Sequence, residues 1–233
     1  MSELNKDPRL FPKWYNSRYY GLIGLRKAIE TVIKDKNFRD KIILDYGCGT
    51  MPYKSLFEKE VSKYIGADID YKNSANVIID RITGKIDFPD ASTDFVISTQ
   101  VLEHVESPPN YLKEARRVCK PGGYLILSTH GFWFYHPNPN DYWRWTASGL
   151  KKILKDNGWE IEKSIGIFGF AAAALALFQD AISASLPKFL KVPFCVLMQQ
   201  IICFADSFYS EISRKENAAL YLVVAKRVDN CAF

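Results

Sequence analysis

The residues best suited to chemistry stand where an apolar run meets a pair of glycines. Residues 42–44 are isoleucine and leucine, and they lead through Asp45 to the pair Gly47 and Gly49. Such a run predicts a buried strand, and glycines at this spacing predict a tight turn whose backbone amides can face a ligand. Residues 51–57 then have helical spacing of apolar side chains. A strand, a glycine turn and a helix together are typical of nucleotide-binding sites, although this signal alone is weak.

Two later apolar runs also end in aspartate. Residues 63–70 predict a second strand that delivers Asp68, a little over twenty residues beyond Asp45. At that distance a second parallel strand can present a carboxylate to the hydroxyls of a ribose. Residues 76–80 form a short, strongly β-prone run that ends in Asp80. Because parallel strands have their carboxyl ends at one edge of a sheet, the three aspartates are expected to lie together.

Strands and helices alternate through most of the chain, and this alternation must position the acids. Further strands are predicted at residues 95–99, 124–129, 159–165 and 219–226. Strict alternation predicts an α/β fold with a parallel sheet and right-handed crossovers. An amphipathic helix lies within an N-terminal cover, residues 1–40. With 233 residues the chain is long enough for a single domain of this kind, spanning 1–233.

Composition and charge exclude several classes of protein. Hydrophobic residues make up 48% and charged residues 24%, which is typical of a globular chain. The net charge of +5 is modest and the basic residues are scattered among acidic ones, so no nucleic-acid partner is expected. The five cysteines lack metal-ligand spacing, which predicts no metal site and a reducing compartment. Residues 1–7 lack a basic segment before an apolar core, so a cytoplasmic location is expected.

A long polar and aromatic connection, residues 131–146, follows the fifth predicted strand. Connections of this length without a helix or strand are often lids or binding loops. Its Trp-Arg-Trp run has the chemistry of a sugar platform or an anion clamp, although simple packing of the loop against the domain is also open. The residues predicted to contact the substrate are Tyr135, Tyr142, Trp143, Arg144 and Trp145.

Three polar side chains in or beside this loop are candidates for a general base. His130 ends the fifth predicted strand, while His136 and Asp141 lie within the loop. Each can take a proton from a substrate hydroxyl if it faces the cleft. His104 follows the fourth predicted strand and is interpreted as an orienting or packing group near the cleft.

An apolar insert, residues 166–208, precedes the last predicted strand. Its longest uncharged runs, residues 164–179 and 192–205, fall short of the roughly 20 residues that a membrane-spanning helix needs. They are interpreted as buried or interfacial helices, broken by Pro187 and Pro193. The insert is expected to cover an edge of the sheet, to form a homodimer contact or to make peripheral contact with a membrane.

Five motifs occur in an order that resembles the class I S-adenosylmethionine-dependent methyltransferases. They are Asp-Tyr-Gly-Cys-Gly at 45–49, Gly-Ala-Asp at 66–68, Asp80, the strand 95–97 with Val-Leu-Glu-His-Val at 101–105, and Val-Cys-Lys-Pro-Gly-Gly-Tyr at 118–124. The resemblance implies a doubly wound, Rossmann-like sheet of seven strands, six parallel and the last antiparallel. It also implies a cofactor cleft at the carboxyl edge of that sheet.

The resemblance assigns a role to each matched position. Gly47 and Gly49 admit the methionine end of S-adenosylmethionine, and Asp45 orders the turn and receives the ammonium directly or through water. Asp68 contacts the ribose diol, and Asp80 contacts the adenine amino group. The predicted cofactor-binding residues are Asp45, Gly47, Cys48, Gly49, Asp68, Ile69, Asp80, Arg81, Ile82, Thr99, Gln100 and Val101.

One departure from the family pattern narrows the resemblance. Met51 replaces a glycine that is common in this turn, and Pro52-Tyr53 follows it. This form, together with Asp-Tyr-Trp-Arg-Trp-Thr at 141–146, resembles type 11-like bacterial methyltransferases linked to cell-surface glycan synthesis. The expected activity is methyl transfer from S-adenosylmethionine to a small-molecule or glycan-like acceptor at a hydroxyl. The alternative is a non-catalytic cofactor-binding or scaffold protein that acts through residues 166–208.

Overall fold

A computed structural model describes residues 7–70, 75–137 and 140–228 of the chain. Within these ranges one sheet contains β1 (Ile42–Tyr46), β2 (Lys63–Asp68), β3 (Val77–Ile78), β4 (Thr93–Thr99), β5 (Cys119–His130), β6 (Trp159–Gly169) and β7 (Ala218–Arg227). The helices in the same ranges are α1 (Tyr19–Asp35), α2 (Lys54–Phe57), α3 (Pro108–Val118), α4 (Ala147–Asp156), α5 (Phe170–Ser185), α6 (Lys188–Ser207) and α7 (Glu211–Glu216).

The strand order confirms the expected fold class. The sheet runs β3-β2-β1-β4-β5-β7-β6. Strands β1 to β5 pair in parallel, whereas β7 is antiparallel to both β5 and β6. Six strands therefore share one direction and the last opposes them, which is the Rossmann-like methyltransferase arrangement. Their carboxyl ends meet at one edge, where the order reverses between β1 and β4.

Alternating side chains of the central strands fill two separate cores. Ile43 of β1 packs with α1, α5 and α6 on one face of the sheet. Leu44, the next residue, packs with α3 and α4 on the other face. Both residues are fully buried, as expected for a parallel strand covered by helices on both sides. The insert helices α5 and α6 are thus part of the layer that positions the carboxyl edge.

Several predicted boundaries differ from the observed elements. The helix expected from residue 51 is a single turn, α2, and β6 continues through Gly169 because residues 166–169 pair with β7. The helical insert therefore begins at Phe170. Pro187 stands at the N-cap of α6 and separates it from α5, as predicted. Pro193 lies inside α6 without ending it, so the break expected at this residue is absent.

Helix α6 is longer than the uncharged run that predicted it. It has 20 residues and by length and composition alone is apolar enough to cross a membrane. The sequence predicted a shorter helix because the uncharged run ends at Lys191 and Asp206, whereas α6 includes both residues. Only 22% of its apolar window is buried in the domain. Among the predicted segments, residues 1–6 and Asn138 and Pro139 of the aromatic loop lie outside the described residues.

Candidate active site

A cavity of about 720 Å3 opens at the carboxyl edge of the sheet. Its floor consists of the ends of β1, β2, β4 and β5, and its walls include the N-terminal segment, α5 and α6. Gly47, Asp68 and Asp80 line one part of it. His104 and His130 line another part of the same space. His136 also lines it, so the cavity joins the predicted cofactor residues to all three of the chain's histidines.

The glycine turn is anchored to the neighbouring strand. The backbone amides of Gly47 and Cys48 donate to the carbonyl oxygen of Ala67 at 2.8 and 2.9 Å, and the amide of Gly49 donates to Asp68 Oδ2 at 2.7 Å. These amides therefore form hydrogen bonds within the protein. The sequence had predicted instead that they would face a ligand. The glycines serve the site by their lack of side chains, which leaves the cavity floor open.

Left-handed backbone conformations shape this turn. Gly47 and Gly49 have φ of +84° and +52°, and Met51 has φ of +53°. Met51 thus adopts the conformation that favours glycine at this position of the family turn. Its side chain lies over Gly66, where an added Cβ would stand 2.3 Å from Met51 Cε. Gly66 therefore provides the space that lets a methionine replace the glycine.

Asp45 and Cys48 lie beneath the turn instead of on the cavity wall. Asp45 is 2% exposed; its Oδ2 accepts a hydrogen bond from Tyr64 Oη at 2.7 Å, and its Oδ1 has no partner among the described residues. Burial raises the pKa of Asp45 to about 7, against the lowering effect of the Tyr64 hydroxyl. Burial also raises the pKa of the Cys48 thiol to about 12. Of these two side chains, Asp45 is the one with an acceptor suited to an ammonium group, its unpartnered Oδ1.

The two later aspartates line the cavity with different surroundings. Asp68 is 7% exposed, and its oxygens accept from the backbone amides of Gly49 and Ile69, each at 2.7 Å. An ionised carboxylate offers only acceptors, which is the chemistry that a ribose diol requires. Asp80 is exposed and caps its own turn, because its Oδ1 accepts from Thr83 N at 2.7 Å and from Ile82 N at 3.0 Å. The Thr83 amide bond is the main reason that the pKa of Asp80 is lowered.

The remaining predicted cofactor residues also reach the cavity. Those that line it are Ile69, Arg81, Ile82, Thr99, Gln100 and Val101. Gln100 has φ of +57°, and its backbone amide and its Nε2 donate to Ser128 O and Ser128 Oγ at 2.9 and 3.0 Å. This anchoring to β5 fixes the point where the chain leaves β4 and turns across the cavity floor.

All three histidines of the chain meet at the opposite end of the cavity. The ring centroids of His130 and His136 are 4.6 Å apart, and those of His104 and His136 are 5.0 Å apart. His104 donates from Nδ1 to the carbonyl oxygen of Asn140 at 2.5 Å, so it fastens the aromatic loop to the end of β4. This contact agrees with an orienting role for His104.

A buried carboxylate holds His130 in place. Glu103 is fully buried; its Oε1 lies 2.6 Å from His130 Nδ1, and its Oε2 accepts from Thr129 Oγ1 at 2.9 Å. Burial alone would raise the pKa of Glu103, but the hydrogen bond and charge of His130 bring it below its usual value. An ionised Glu103 fixes the proton of His130 on Nδ1 and leaves Nε2 as the basic atom. Glu103 escaped the sequence prediction, although its adjacency to His104 in the family motif was the available signal.

His136 and Asp141 are held within the loop. The Asp141 side chain is 1% exposed and does not line the cavity, and Arg144 donates to its two oxygens at 2.6 Å each. Although burial opposes it, this two-point contact holds the pKa of Asp141 far below its usual value, so the carboxylate is a very weak base. His136 lines the cavity, and its Nδ1 lies 3.1 Å from Phe134 O and 3.3 Å from Asp141 Oδ2. Burial lowers the pKa of His136.

None of the five predicted substrate residues lines the cavity, and three of them, Trp143, Arg144 and Trp145, make contacts within the loop or to its neighbours. Arg144 also donates to the carbonyl oxygens of Trp133 at 3.1 Å and Trp143 at 2.7 Å, which leaves it unsuited to an anion clamp. Trp143 stacks on Trp145 at 5.9 Å and donates from Nε1 to Val105 O at 2.8 Å. The tyrosines of this set are exposed outside the cavity: Tyr135 and Tyr142. The contacts of Trp143, Arg144 and Trp145 thus fit the packing alternative. From the same loop Trp133, His136 and Asn140 line the cavity.

Replacing Arg144 with lysine tests this structural role. Lysine cannot reproduce the two-point contact with Asp141 together with the carbonyl contacts, so the variant should lose about 3 kcal/mol of unfolding free energy. Thermal and denaturant unfolding measure the loss. The matched control is Lys152→Ala in α4, whose ion pair with Asp156 is exposed and should contribute less than about 1 kcal/mol. Equal losses in the two variants would contradict the assignment.

The N-terminal segment and the insert supply cavity residues that no local motif predicted. Gln179 of α5 and Gln199 of α6 are buried, and each donates from Nε2 to the carbonyl oxygen of Ser17 at 2.7 Å. Arg9 donates to Thr50 Oγ1 beside the glycine turn, and it lines the cavity. Segments more than 160 residues apart thus close one wall, which only the tertiary structure brings together.

The histidine cluster also has the spacing of metal ligands. One ligand atom each from Glu103, His130 and His136 lies within 4.8 Å of the others, and the same holds for His104, His136 and Asp141. However, each of these side chains already has a hydrogen-bond partner on the protein, and the Arg144 guanidinium stands next to the second group. The cluster is therefore a hydrogen-bonded network that joins the aromatic loop to the ends of β4 and β5.

Comparison with known proteins places the chain in a family. A model of the methyltransferase domain matches residues 15–164. The chain belongs to the methyltransferase domain family. Among its relatives, a probable S-adenosylmethionine-dependent methyltransferase of Mycolicibacterium smegmatis is 30% identical over 57% of each chain. A ubiquinone biosynthesis O-methyltransferase of Roseobacter denitrificans is 30% identical over 45% of each. The chain thus spans about half the length of these curated relatives.

Solved methyltransferases share the fold at low sequence identity. An S-adenosylmethionine-dependent methyltransferase of Mesorhizobium loti aligns with a TM-score of 0.59 at 15% identity, over 88% of this chain and 98% of its own. A Haemonchus contortus phosphoethanolamine N-methyltransferase, solved with S-adenosylhomocysteine, aligns with a TM-score of 0.55 at 14% identity, over 87% of this chain and 53% of its own. This likeness supports the fold alone.

The cofactor of the family is S-adenosylmethionine, and the geometry of this methyltransferase domain fits it. A Cβ on Gly47 would stand 2.5 Å from Val101, so the turn leaves a cradle that any side chain would fill. The orphaned Oδ1 of Asp45 is a buried acceptor of the kind that an ammonium group satisfies. Asp68 places a carboxylate on the cavity wall. These features stand at the ends of β1 and β2, next to the cavity floor.

Proposed function

We propose that this methyltransferase moves the methyl group of S-adenosylmethionine to a hydroxyl of a small-molecule or glycan-like acceptor, with His130 as the general base. The observation that carries the proposal is the cavity itself. It joins the glycine turn and Asp68 at one end to the Glu103–His130 pair at the other. A donor held at the first end can therefore meet an acceptor at the second.

S-adenosylmethionine supplies an electrophilic methyl group on a positively charged sulfur. The protein then has to hold donor and acceptor in line at near-attack distance. His130 Nε2 takes the proton of the acceptor hydroxyl as the new oxygen–carbon bond forms and the sulfur–carbon bond breaks. The imidazolium that results is stabilised by the Glu103 carboxylate, which is 2.6 Å away. Glu103 is thus a positioning residue for His130.

Two further observations support a hydroxylated, glycan-like acceptor. Trp133 lines the cavity near His130, with ring centroids 5.2 Å apart, and an aromatic face suits the apolar side of a sugar. Arg18 stands over the Trp133 ring at 6.0 Å at the same wall, where it can donate to acceptor oxygens. The Roseobacter denitrificans relative is an O-methyltransferase by name, which favours oxygen as the acceptor atom.

Titration calorimetry and a methyl-transfer assay test the proposal. The folded chain should bind S-adenosylhomocysteine, and it should transfer radiolabelled methyl from S-adenosylmethionine to a pool of bacterial hydroxylated metabolites and sugar conjugates. Absence of cofactor binding by folded protein would refute the proposal. Cofactor binding without transfer to any pool would instead favour the second candidate, a non-catalytic scaffold that acts through residues 166–208. The proposed location is the cytoplasm, where the cofactor is made.

The raised pKa of Asp45 predicts a pH-dependent affinity for the cofactor. Below a pKa of about 7 the carboxyl is protonated and cannot receive the ammonium as an ion pair, so the affinity for S-adenosylhomocysteine should fall by about tenfold per pH unit. Above about pH 7.5 it should be constant. Calorimetry between pH 5.5 and about pH 8.5 measures the profile. Asp45→Asn is the control and should bind weakly with a flat profile.

The same pKa has the opposite effect on folding. An acid whose pKa is raised on folding stabilises the native state most below its unfolded pKa of about 4, and this contribution is lost as the pH rises to about 7. Wild-type protein should therefore lose unfolding free energy relative to Asp45→Asn between these values. Identical binding profiles for wild type and Asp45→Asn would remove Asp45 from the cofactor site.

A further inference from the structure

Helix α6 is apolar on two opposite sides. One side packs into the domain through buried residues such as Cys195, Met198 and Ile202. The other side leaves large apolar side chains in solvent, five of which recur every three, four or seven residues. We define the α6 surface as Phe189, Leu190, Leu197, Ile201, Phe204 and Phe208, which are between 40% and 76% exposed. Contiguous exposed apolar side chains of this size are typical of an interaction surface.

Helix α6 is fixed to the domain by polar contacts, so it does not leave to span a bilayer. Gln199 is 2% exposed and donates to Gln179 Oε1 at 2.8 Å as well as to Ser17. Asp206 accepts from the backbone amide of Gly169 at 2.7 Å and pairs with Arg214 at 3.4 Å. Removing these groups into hydrocarbon would leave them unsatisfied at several kcal/mol each. The apolar side of α6 is therefore suited to lie along an interface.

The charges beside this surface favour one occupant. Lys188 and Lys191 are exposed at the start of α6, and residues 181–205 contain no aspartate or glutamate. The two acids that flank this range have partners in the domain: Asp180 lines the cavity and interacts with Arg18 and Lys191, and Asp206 bonds Gly169 and Arg214. Basic side chains bordering an apolar helix face match anionic lipid headgroups, because their long stems bury while their ammonium groups stay at the phosphate level. A second copy of this chain would present the same two lysines without an acid in that range. The charge thus favours an anionic bilayer over a second copy.

We propose that the α6 surface docks on an anionic phospholipid bilayer, with its phenylalanines in the interfacial region and Lys188 and Lys191 at the phosphates. Helices α5 and α6 also form a wall of the active-site cavity, through Gln179, Asp180 and Gln199. Docking therefore brings the cavity wall to the membrane, where an amphiphilic acceptor resides. The docking stands on the α6 surface alone, whereas the amphiphilic acceptor rests on the proposed function.

Vesicle flotation of the purified full chain tests the docking. The protein should float with vesicles that contain phosphatidylglycerol, bind phosphatidylcholine vesicles weakly, and release from the anionic vesicles as salt rises. Phe204→Ser with Phe208→Ser should lower the partition coefficient by about tenfold or more. Lys188→Glu with Lys191→Glu should lower it and remove its salt dependence. The matched control, Trp14→Ser, removes a side chain that is 66% exposed outside α6 and should float like wild type.

The outcomes separate docking from folding and from catalysis. Retained binding of S-adenosylhomocysteine shows that each variant is folded, since the substituted side chains do not line the cavity. Wild-type protein that stays unbound to both kinds of vesicle overturns the proposal. A stable dimer in light scattering that Phe204→Ser converts to a monomer, without flotation, assigns the surface to a second copy. Loss of methyl transfer with intact flotation would count against the proposed function only.

Discussion

Replacing His130 with asparagine is expected to lower kcat by about a hundredfold or more in a methyl-transfer assay, with the affinity for S-adenosylhomocysteine changed by less than about twofold. The reason is the geometry of the Glu103–His130 pair. Glu103 is fully buried at 2.6 Å from His130 Nδ1, so the imidazole proton is held on Nδ1 and Nε2 is the basic atom of a residue that lines the cavity. Asparagine keeps an N–H donor for Glu103 but has no basic nitrogen to take the proton of the acceptor.

Two variants make this prediction specific. Glu103→Gln keeps the volume of the carboxylate and removes its charge, so it should lower kcat by about tenfold while leaving KM for S-adenosylmethionine unchanged. His104→Asn is the matched control, because His104 lines the same cavity and bonds the backbone carbonyl of Asn140 through Nδ1, while its Nε2 stands 3.8 Å from Glu103 Oε1, beyond the 2.6 Å hydrogen bond that His130 makes. Its effect should stay below about tenfold. If His130→Asn turns over at the wild-type rate, another residue is the base. Equal losses of kcat in all three variants would indicate that the cluster has only a structural role.

Gly47→Ala should lower the affinity for S-adenosylhomocysteine by about a hundredfold or more. The backbone of Gly47 has φ of +84°, which costs an L-residue about 1–2 kcal/mol. The added Cβ would also stand 2.5 Å from Val101 Cγ2, so either the turn or the end of β4 has to move. Because Gly47 and Val101 both line the cavity, this movement displaces the part of the cavity floor where the cofactor is proposed to bind. Calorimetry and thermal unfolding, measured together, separate affinity from stability.

A second glycine in the chain separates strain from crowding. Gly122 has φ of +72°, but a Cβ there would meet nothing within 4 Å among the described residues. Gly122→Ala should therefore cost about 1–2 kcal/mol of stability and leave cofactor affinity unchanged. Adding Val101→Ala to Gly47→Ala relieves the contact and should recover part of the affinity. If Gly47→Ala binds the cofactor as wild type does, the cofactor does not approach this turn.

The strands and their acids were accessible from the sequence because they are local features. An apolar run that stops at glycine specifies both a buried strand and an open turn, whatever the rest of the chain does. The sequence placed Asp68 and Asp80 at strand ends, and both line the cavity. It did not show that the turn amides bond to Ala67 and Asp68, because those partners come from a different strand. The cofactor contacts themselves remain predictions.

The aromatic loop shows where side-chain chemistry alone misleads. Arginine between tryptophans has the donors of an anion clamp. Arg144, however, donates its hydrogen bonds to Asp141 and to carbonyl oxygens of the loop itself. Which way a loop side chain points depends on contacts made across the fold, and residue type does not record them. Trp133, the aromatic residue of this loop that does line the cavity, has no feature in the sequence that sets it apart from Trp143.

The sequence by itself determined the methyltransferase fold and the strand-end positions of the aspartates, because both follow from short-range patterns of apolar residues, glycines and acids. Only the tertiary structure decided that the chain's three histidines converge, that Glu103 orients His130, and that α6 keeps an apolar side exposed. The physical reason is distance along the chain. Glu103 and His130 are 27 residues apart, and Ser17 and Gln199 are 182 apart. Contacts of that range form only when the whole sheet and its helices have packed.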